Sequence, residues 1–126
     1  MKQIALSLLA LASVTSPALA DINFTTGLGI TDDAELKTVK YDCEHHDPII
    51  VKYLNAVPNF LAIIPIEADG GTKPMLFVNV ISGSGAKYVA GKYEWWSKGN
   101  DATLHDVTEG LDAAPVVTCA EEVDTP

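Results

Sequence analysis

The stretch "KTVKYDCEHHDPIIVKYLNAVPNFLAIIPI", Lys37 to Ile66, decides the fold class. In "KTVKYDC", Val39, Tyr41 and Cys43 fall on one side and Lys40 and Asp42 on the other. That is the two-residue period of a half-buried strand. "EHHDP" turns the chain, because Asp-Pro favours turn initiation. "IIVKYL" is a second strand, "NAVPN" a second turn and "FLAIIPI" a third strand. Pro65 places its part of that strand at an edge or a bulge, since proline cannot donate to a ladder.

The same grammar continues outward. "EADGGTKP" carries an Asp-Gly-Gly hairpin signal. "MLFVNVI" (Met75 to Ile81) is a strong strand that "SGSG" breaks. A short piece begins at Tyr88, "VAG" turns, and "KYEWWSK" is the next strand. "GND" turns, "ATLHDV" follows, "TEGLDAAP" is a longer loop, and "VVTCAEEV" closes the ordered chain. Seven or eight short strands with hairpin-length connections predict an all-β sandwich or barrel. The two cysteines, Cys43 and Cys119, lie on an early and the last strand. That tilts the expectation to a small antiparallel β-barrel of about eight strands closed by one disulfide.

The first residues read as an export signal. Lys2 is the positive start, Ile4 to Val14 an apolar core, and Ala18 to Ala20 an A-x-A cleavage site. The core is shorter than the roughly 20 residues a membrane span needs, which makes an uncleaved anchor the weaker reading. The expected organisation is a signal peptide over 1–20, an N-terminal arm over 21–36, a barrel domain over 37–123 and a tail over 124–126. No cysteine stands near the cleavage site, so no lipid anchor is indicated. In an oxidising compartment two cysteines allow one pairing, and closing so long a loop stabilises by about 4–5 kcal/mol.

With 17 Asp and Glu against 8 Lys and Arg, the net charge is −9. Cleavage at Ala20 would remove Lys2 and make the chain more acidic still. Such a balance argues against a nucleic-acid partner, whose phosphates need cations. It opposes anionic membrane surfaces and suits a basic protein partner. No cofactor is indicated. His45 and His46, with Glu44 and Asp47, have metal-capable groups, but adjacent strand positions face opposite ways and no third ligand is evident. They read as an exposed polar turn, and no metal site is expected. Ser82 and Ser84 lack a positioned base other than distant His105 and lack an acid to orient it. No pair of carboxylates stands out for glycoside chemistry, so an enzyme is not expected.

The segment "SGSGAKYVAGKYEWWSKGNDATL", Ser82 to Leu104, remains. It combines a Gly/Ser loop, aromatics and a lysine. On a strand, Trp95 and Trp96 face opposite sides, so one fills the core and the other lies outside. From "SGAKYVAGKYEWWSKGNDATL" the chain resembles the periplasmic and membrane-bound inhibitors of c-type lysozyme. The family pattern is Ser-Gly-x-x-Tyr, a strand ending in Trp-x-Lys-Gly, an acidic turn and Ala-x-Leu. Here it reads Ser84-Gly85-Ala86-Lys87-Tyr88, then Trp96-Ser97-Lys98-Gly99, then Asp101-Ala102-Thr103-Leu104. Tyr41-Asp42-Cys43 and Cys119 agree more loosely.

The resemblance implies an eight-stranded antiparallel barrel and a key-in-cleft mechanism. The loop Ser84, Gly85, Ala86, Lys87 and Tyr88 would enter the lysozyme groove. Ser84 and Lys98 would meet the catalytic carboxylates. Tyr88 would pack the loop and Gly85 would let it turn, with Tyr93, Trp96 and Gly99 as further support. Ser82 also precedes a glycine but meets Ala86, not a tyrosine, four residues on. The missing lipid-bearing cysteine implies the soluble periplasmic branch. The arm over 21–36 and the 67–73 turn lie outside the pattern and are candidates for added contacts or a homodimer. The alternative reading is a carbohydrate- or peptidoglycan-binding barrel using Trp95 or Trp96 and Tyr93. Lys98 discriminates the two, since sugar stacking has no need of it.

Overall fold

A computed structural model describes residues 33–123. The expected signal peptide, most of the expected arm and the 124–126 tail lie outside the described residues. Eight strands follow in order: β1 Glu35–Cys43, β2 His46–Ala56, β3 Asn59–Ala68, β4 Gly71–Val80, β5 Ala86–Ala90, β6 Tyr93–Lys98, β7 Asp101–Asp106 and β8 Val117–Glu121. A 3-10 turn, Val107–Glu109, interrupts the β7–β8 connection. Each strand pairs antiparallel with the next, and β8 pairs back to β1, closing the barrel.

Alternation sets the inside and the outside. Val39 and Tyr41 on β1, Ile49, Val51 and Tyr53 on β2, and Ala62, Ile64 and Ile66 on β3 are buried. Trp95, Phe77, Ile64 and Val51 are the largest fully buried side chains. Cys43 and Cys119 are register partners across the β1–β8 seam and form the expected disulfide, 76 residues apart in sequence. The bridge sits at the closure itself, so it restricts the unfolded chain where the pairing has the greatest loop cost.

Tight turns carry the hairpins. Between paired Ala68 and Gly71, Asp69 and Gly70 have φ of 48° and 79°. Positive φ at both central positions is the type I′ requirement, and it explains the Asp-Gly signal. The structure moves several sequence boundaries. β2 takes in His46 to Pro48 from the expected "EHHDP" turn and Asn55 and Ala56 from the "NAVPN" turn, and β5 begins at Ala86 rather than Tyr88. β1 takes in Glu35 and Leu36, because Leu36 pairs with Leu54. The strand expected over 75–81 begins at Gly71 and ends at Val80. The expected "VAG" turn is not one: Val89 and Ala90 pair with Glu94 and Tyr93, and Gly91-Lys92 makes the turn.

Pro65 stands directly opposite Pro74. Two prolines can oppose each other only in a non-hydrogen-bonded pair, which turns both ring nitrogens outward. There they cost nothing, since β3 beyond Ile63 has no β2 partner and β4 before Val78 has no β5 partner. The expectation of a local edge at Pro65 therefore holds inside a closed barrel.

At one end of the core the Trp95 indole N–H donates to Tyr53 Oη at 2.8 Å, and the Tyr53 and Tyr41 hydroxyls share a bond at 2.9 Å. Burial pushes the Tyr41, Tyr53 and Tyr88 phenols up from their ordinary 10.0. A proton held more tightly by the folded state gives stability that is complete below the unfolded value and lost above it. The expected result is a flat urea midpoint from pH 7 to about 10. Above that, stability falls by up to about 1.4 kcal/mol per pH unit for each phenol involved. Equilibrium unfolding at pH 8 and 11 checks this.

Candidate functional site

β4 ends at Val80 and β5 begins at Ala86, so the chain from Ile81 to Gly85 bridges them at one end of the barrel. The loop is anchored by side chains at four points. Ser82 Oγ donates to the Gly85 carbonyl at 3.1 Å. The Trp96 indole N–H donates to the Ser84 carbonyl at 2.8 Å. Ser97 Oγ donates to Ala86 O at 3.4 Å, and Asn79 Nδ2 to Lys87 O at 3.1 Å. Three of these bonds come from the neighbouring strands β4 and β6, so the loop is tied before any partner arrives, which lowers the ordering cost of binding.

Gly85 is required by space as well as by its φ of 63°. A Cβ there would stand 2.2 Å from the Ser97 carbonyl oxygen and 2.7 Å from Lys98 Cγ. The loop backbone is therefore pressed directly against the end of β6. Ser84, at the tip, is exposed, and so is Lys98 at the last position of β6.

Trp96 joins these parts. It is half-buried on the outer wall, with Trp95 inside. Besides holding Ser84, its ring lies 3.5 Å from Lys98 Nζ and 4.2 Å from Lys87 Nζ. A cation is attracted to the negative face of an indole. The two lysines differ in their other contacts. Lys87 pairs with Glu94 at 3.3 Å, whereas Lys98 has no ion pair among the described residues. Asp101 is its cross-turn neighbour in register and does not neutralise it. The arrangement presents a hydroxyl and a positioned, uncompensated ammonium on one exposed end.

The structure thus brings Ser84, Gly85, Ala86, Lys87, Trp96 and Lys98 together. Tyr88 turns inward, 6% exposed, with its ring 5.5 Å from Tyr53. Gly99 follows Lys98 in the β6–β7 turn. Tyr93 is at the other end of β6 and makes no contact with the loop; Lys92 lies over its ring. His46 reaches Glu67 at 3.4 Å and His105 reaches Thr103 at 3.0 Å. No group of three metal-capable side chains occurs among the described residues. Sequence reasoning missed Asn79 and Ser97, whose loop bonds depend on cross-strand register. Ile81, expected as the end of a strand, lies just past β4 and is fully exposed beside the loop.

Trp96→Phe keeps the ring and removes the N–H, leaving the Ser84 carbonyl without this donor. A net hydrogen bond is worth about 1 kcal/mol. The expected result is roughly fivefold faster amide exchange across 82–86, with barrel-core exchange unchanged, read by NMR.

Residues 41–112 match the family described as MliC, membrane-bound lysozyme inhibitor of c-type lysozyme. A protein of that name from Pseudomonas aeruginosa is 45% identical over 96 residues, covering 75% of this chain and 73% of its own. One from Cupriavidus necator is 34% identical over 107 residues, covering 85% and 82%. The crystal structure of Pseudomonas aeruginosa MliC in complex with hen egg white lysozyme superposes with a TM-score of 0.62 at 37% identity, covering 82% of this chain and 98% of that one. The eight-stranded barrel, the motif from Ser84 to Leu104 and these similarities agree, and the chain belongs to the MliC family of inhibitors of c-type lysozyme.

Proposed function

We propose that this protein is a non-enzymatic inhibitor of c-type lysozyme that places the Ser84 loop and Lys98 in the enzyme's active-site cleft, protecting peptidoglycan. One observation carries the reading: a Lys98 ammonium without an ion pair among the described residues and an exposed Ser84 are fixed to the same indole. A retaining glycosidase works with two carboxylates about 5 Å apart. A lysine ammonium is a compact charge with three donors, suited to engage such a pair. The serine hydroxyl supplies one more donor. The acidic body attracts a basic enzyme at long range while the docking tool is locally cationic, so steering and docking use different charges.

The site of action is the bacterial envelope. The finer reading is a soluble periplasmic form, because the leader has no cysteine at its cleavage site. The competing sugar-binding reading is not favoured at Trp96, whose ring is engaged by lysine ammonium groups. A lysis assay with c-, g- and i-type lysozymes in parallel tests the proposal. Inhibition is expected for the c-type enzyme, and an unaffected c-type enzyme refutes it.

A further inference from the structure

The barrel end that carries the loop also holds a cavity of about 190 Å³. Its walls include Tyr41, Tyr53, Tyr88, Ser97, Glu121 and Lys37. Two of these residues connect it to the loop. Tyr88 closes the Ser-Gly-x-x-Tyr run. Ser97 supplies the carbonyl against which Gly85 is pressed, and its hydroxyl donates to Ala86. When the loop enters a cleft, the mouth of the barrel faces the same partner.

The chemistry of the cavity is specific. Tyr53 Oη is engaged by Trp95 and Tyr41, but the Tyr88 hydroxyl has no hydrogen-bond partner among the described residues. Glu121 adds a carboxylate with no ion pair among the described residues, and Lys37 is exposed and likewise makes none. The negative charge of Glu121 is felt at Tyr41 and Tyr53, whose phenols it helps to keep protonated. An anion would meet that carboxylate. A flat cation with several donors would find it together with hydroxyl acceptors and tyrosine ring faces. A guanidinium has that shape, five donors and an affinity for aromatic faces.

We infer that the barrel mouth is a second subsite that receives an arginine side chain of the bound lysozyme, walled by Tyr88 and paired with Glu121. This rests on the cleft-insertion reading for what brings the arginine to the mouth. The subsite itself is testable without lysozyme. Arginine amide is expected to bind the free protein with a dissociation constant of about 1–10 mM, the range for a ligand of its size. The readout is a shift of the Trp95 indole N–H resonance, which reports on Tyr53. Citrulline amide, isosteric and uncharged, is expected to give no shift. Glu121→Gln is expected to abolish the response, and Lys37→Gln to strengthen it by removing the competing charge on the rim.

In complex with a c-type lysozyme, Glu121→Gln is expected to raise the dissociation rate about tenfold with little change in association rate, as for a charge enclosed on binding. An equal response to citrulline amide, no response to arginine amide, or a response to N-acetylglucosamine in its place overturns the subsite. Wild-type dissociation kinetics for both Glu121→Gln and Glu121→Arg do the same. Failure of the cleft-insertion reading shows differently, as unimpaired inhibition by Lys98→Ala while arginine amide still binds the free protein.

Discussion

Lys98→Ala is expected to weaken inhibition of a c-type lysozyme by about 30- to 5,000-fold, because truncating one member of an enclosed, hydrogen-bonded charge pair costs about 2–5 kcal/mol. Much of that cost is borne by the enzyme's carboxylates, left enclosed without a counter-charge. Folding is expected to be almost untouched. Lys98 is exposed at the end of β6, and its internal contact is with the Trp96 ring. Such an exposed contact is worth about 0.5–1 kcal/mol. The inhibition constant and the thermal midpoint therefore separate: a large change in the first and a shift of a few degrees at most in the second. Lys98→Arg is a sharper probe. It keeps the charge but replaces a point donor with a wide planar fork, and only partial recovery is expected. Retention of wild-type inhibition by Lys98→Ala would sink the mechanism.

Gly85→Ala is expected to remove at least as much inhibition while leaving every polar side chain in place. The added methyl meets the Ser97 carbonyl oxygen at 2.2 Å, and backbone is not a neighbour that yields. The positive φ adds about 1–2 kcal/mol of conformational cost. Relief requires the loop to lift from β6, which stretches the Trp96–Ser84 and Ser97–Ala86 bonds that fix the tip. The barrel ladders do not pass through Gly85, so far-UV circular dichroism and the Cys43–Cys119 bridge are expected to be unchanged. Gly83→Ala is the matched control. A Cβ there meets nothing within 4 Å, and near-wild-type inhibition is expected. Equal inhibition by the Gly85 and Gly83 variants would show that the pressed loop geometry is irrelevant.

Both predictions concern positions that the family resemblance had marked. The serine-glycine loop and the lysine fourteen residues after Ser84 stand out through the family resemblance, which matches their spacing along one hairpin. What local pattern did not give is how the two are held. Trp96 reads as a second tryptophan on a strand. Its function as a joint depends on Lys87 lying opposite it in register and on the loop folding back across twelve residues. Register is a long-range quantity, and alternation leaves it open by whole steps of two. The "VAG" turn failed for a related reason. Small residues before a glycine look like turn residues until a partner strand, here through Glu94 and Tyr93, recruits them into a ladder.

The β class, most of the hairpin turns and the disulfide pairing are legible in the amino-acid sequence alone. Each of these is set by neighbours along the chain or by a count of two cysteines. The folded barrel settled which tryptophan enters the core and how Gly85 is pressed against β6. It also decided that Tyr88 faces inward and that the loop shares its end of the barrel with a tyrosine-lined mouth. The mouth exists only once β8 pairs with β1. Closure fixes which face of every strand is inside, and it brings Lys37 and Glu121, from opposite ends of the described chain, to the rim of one cavity.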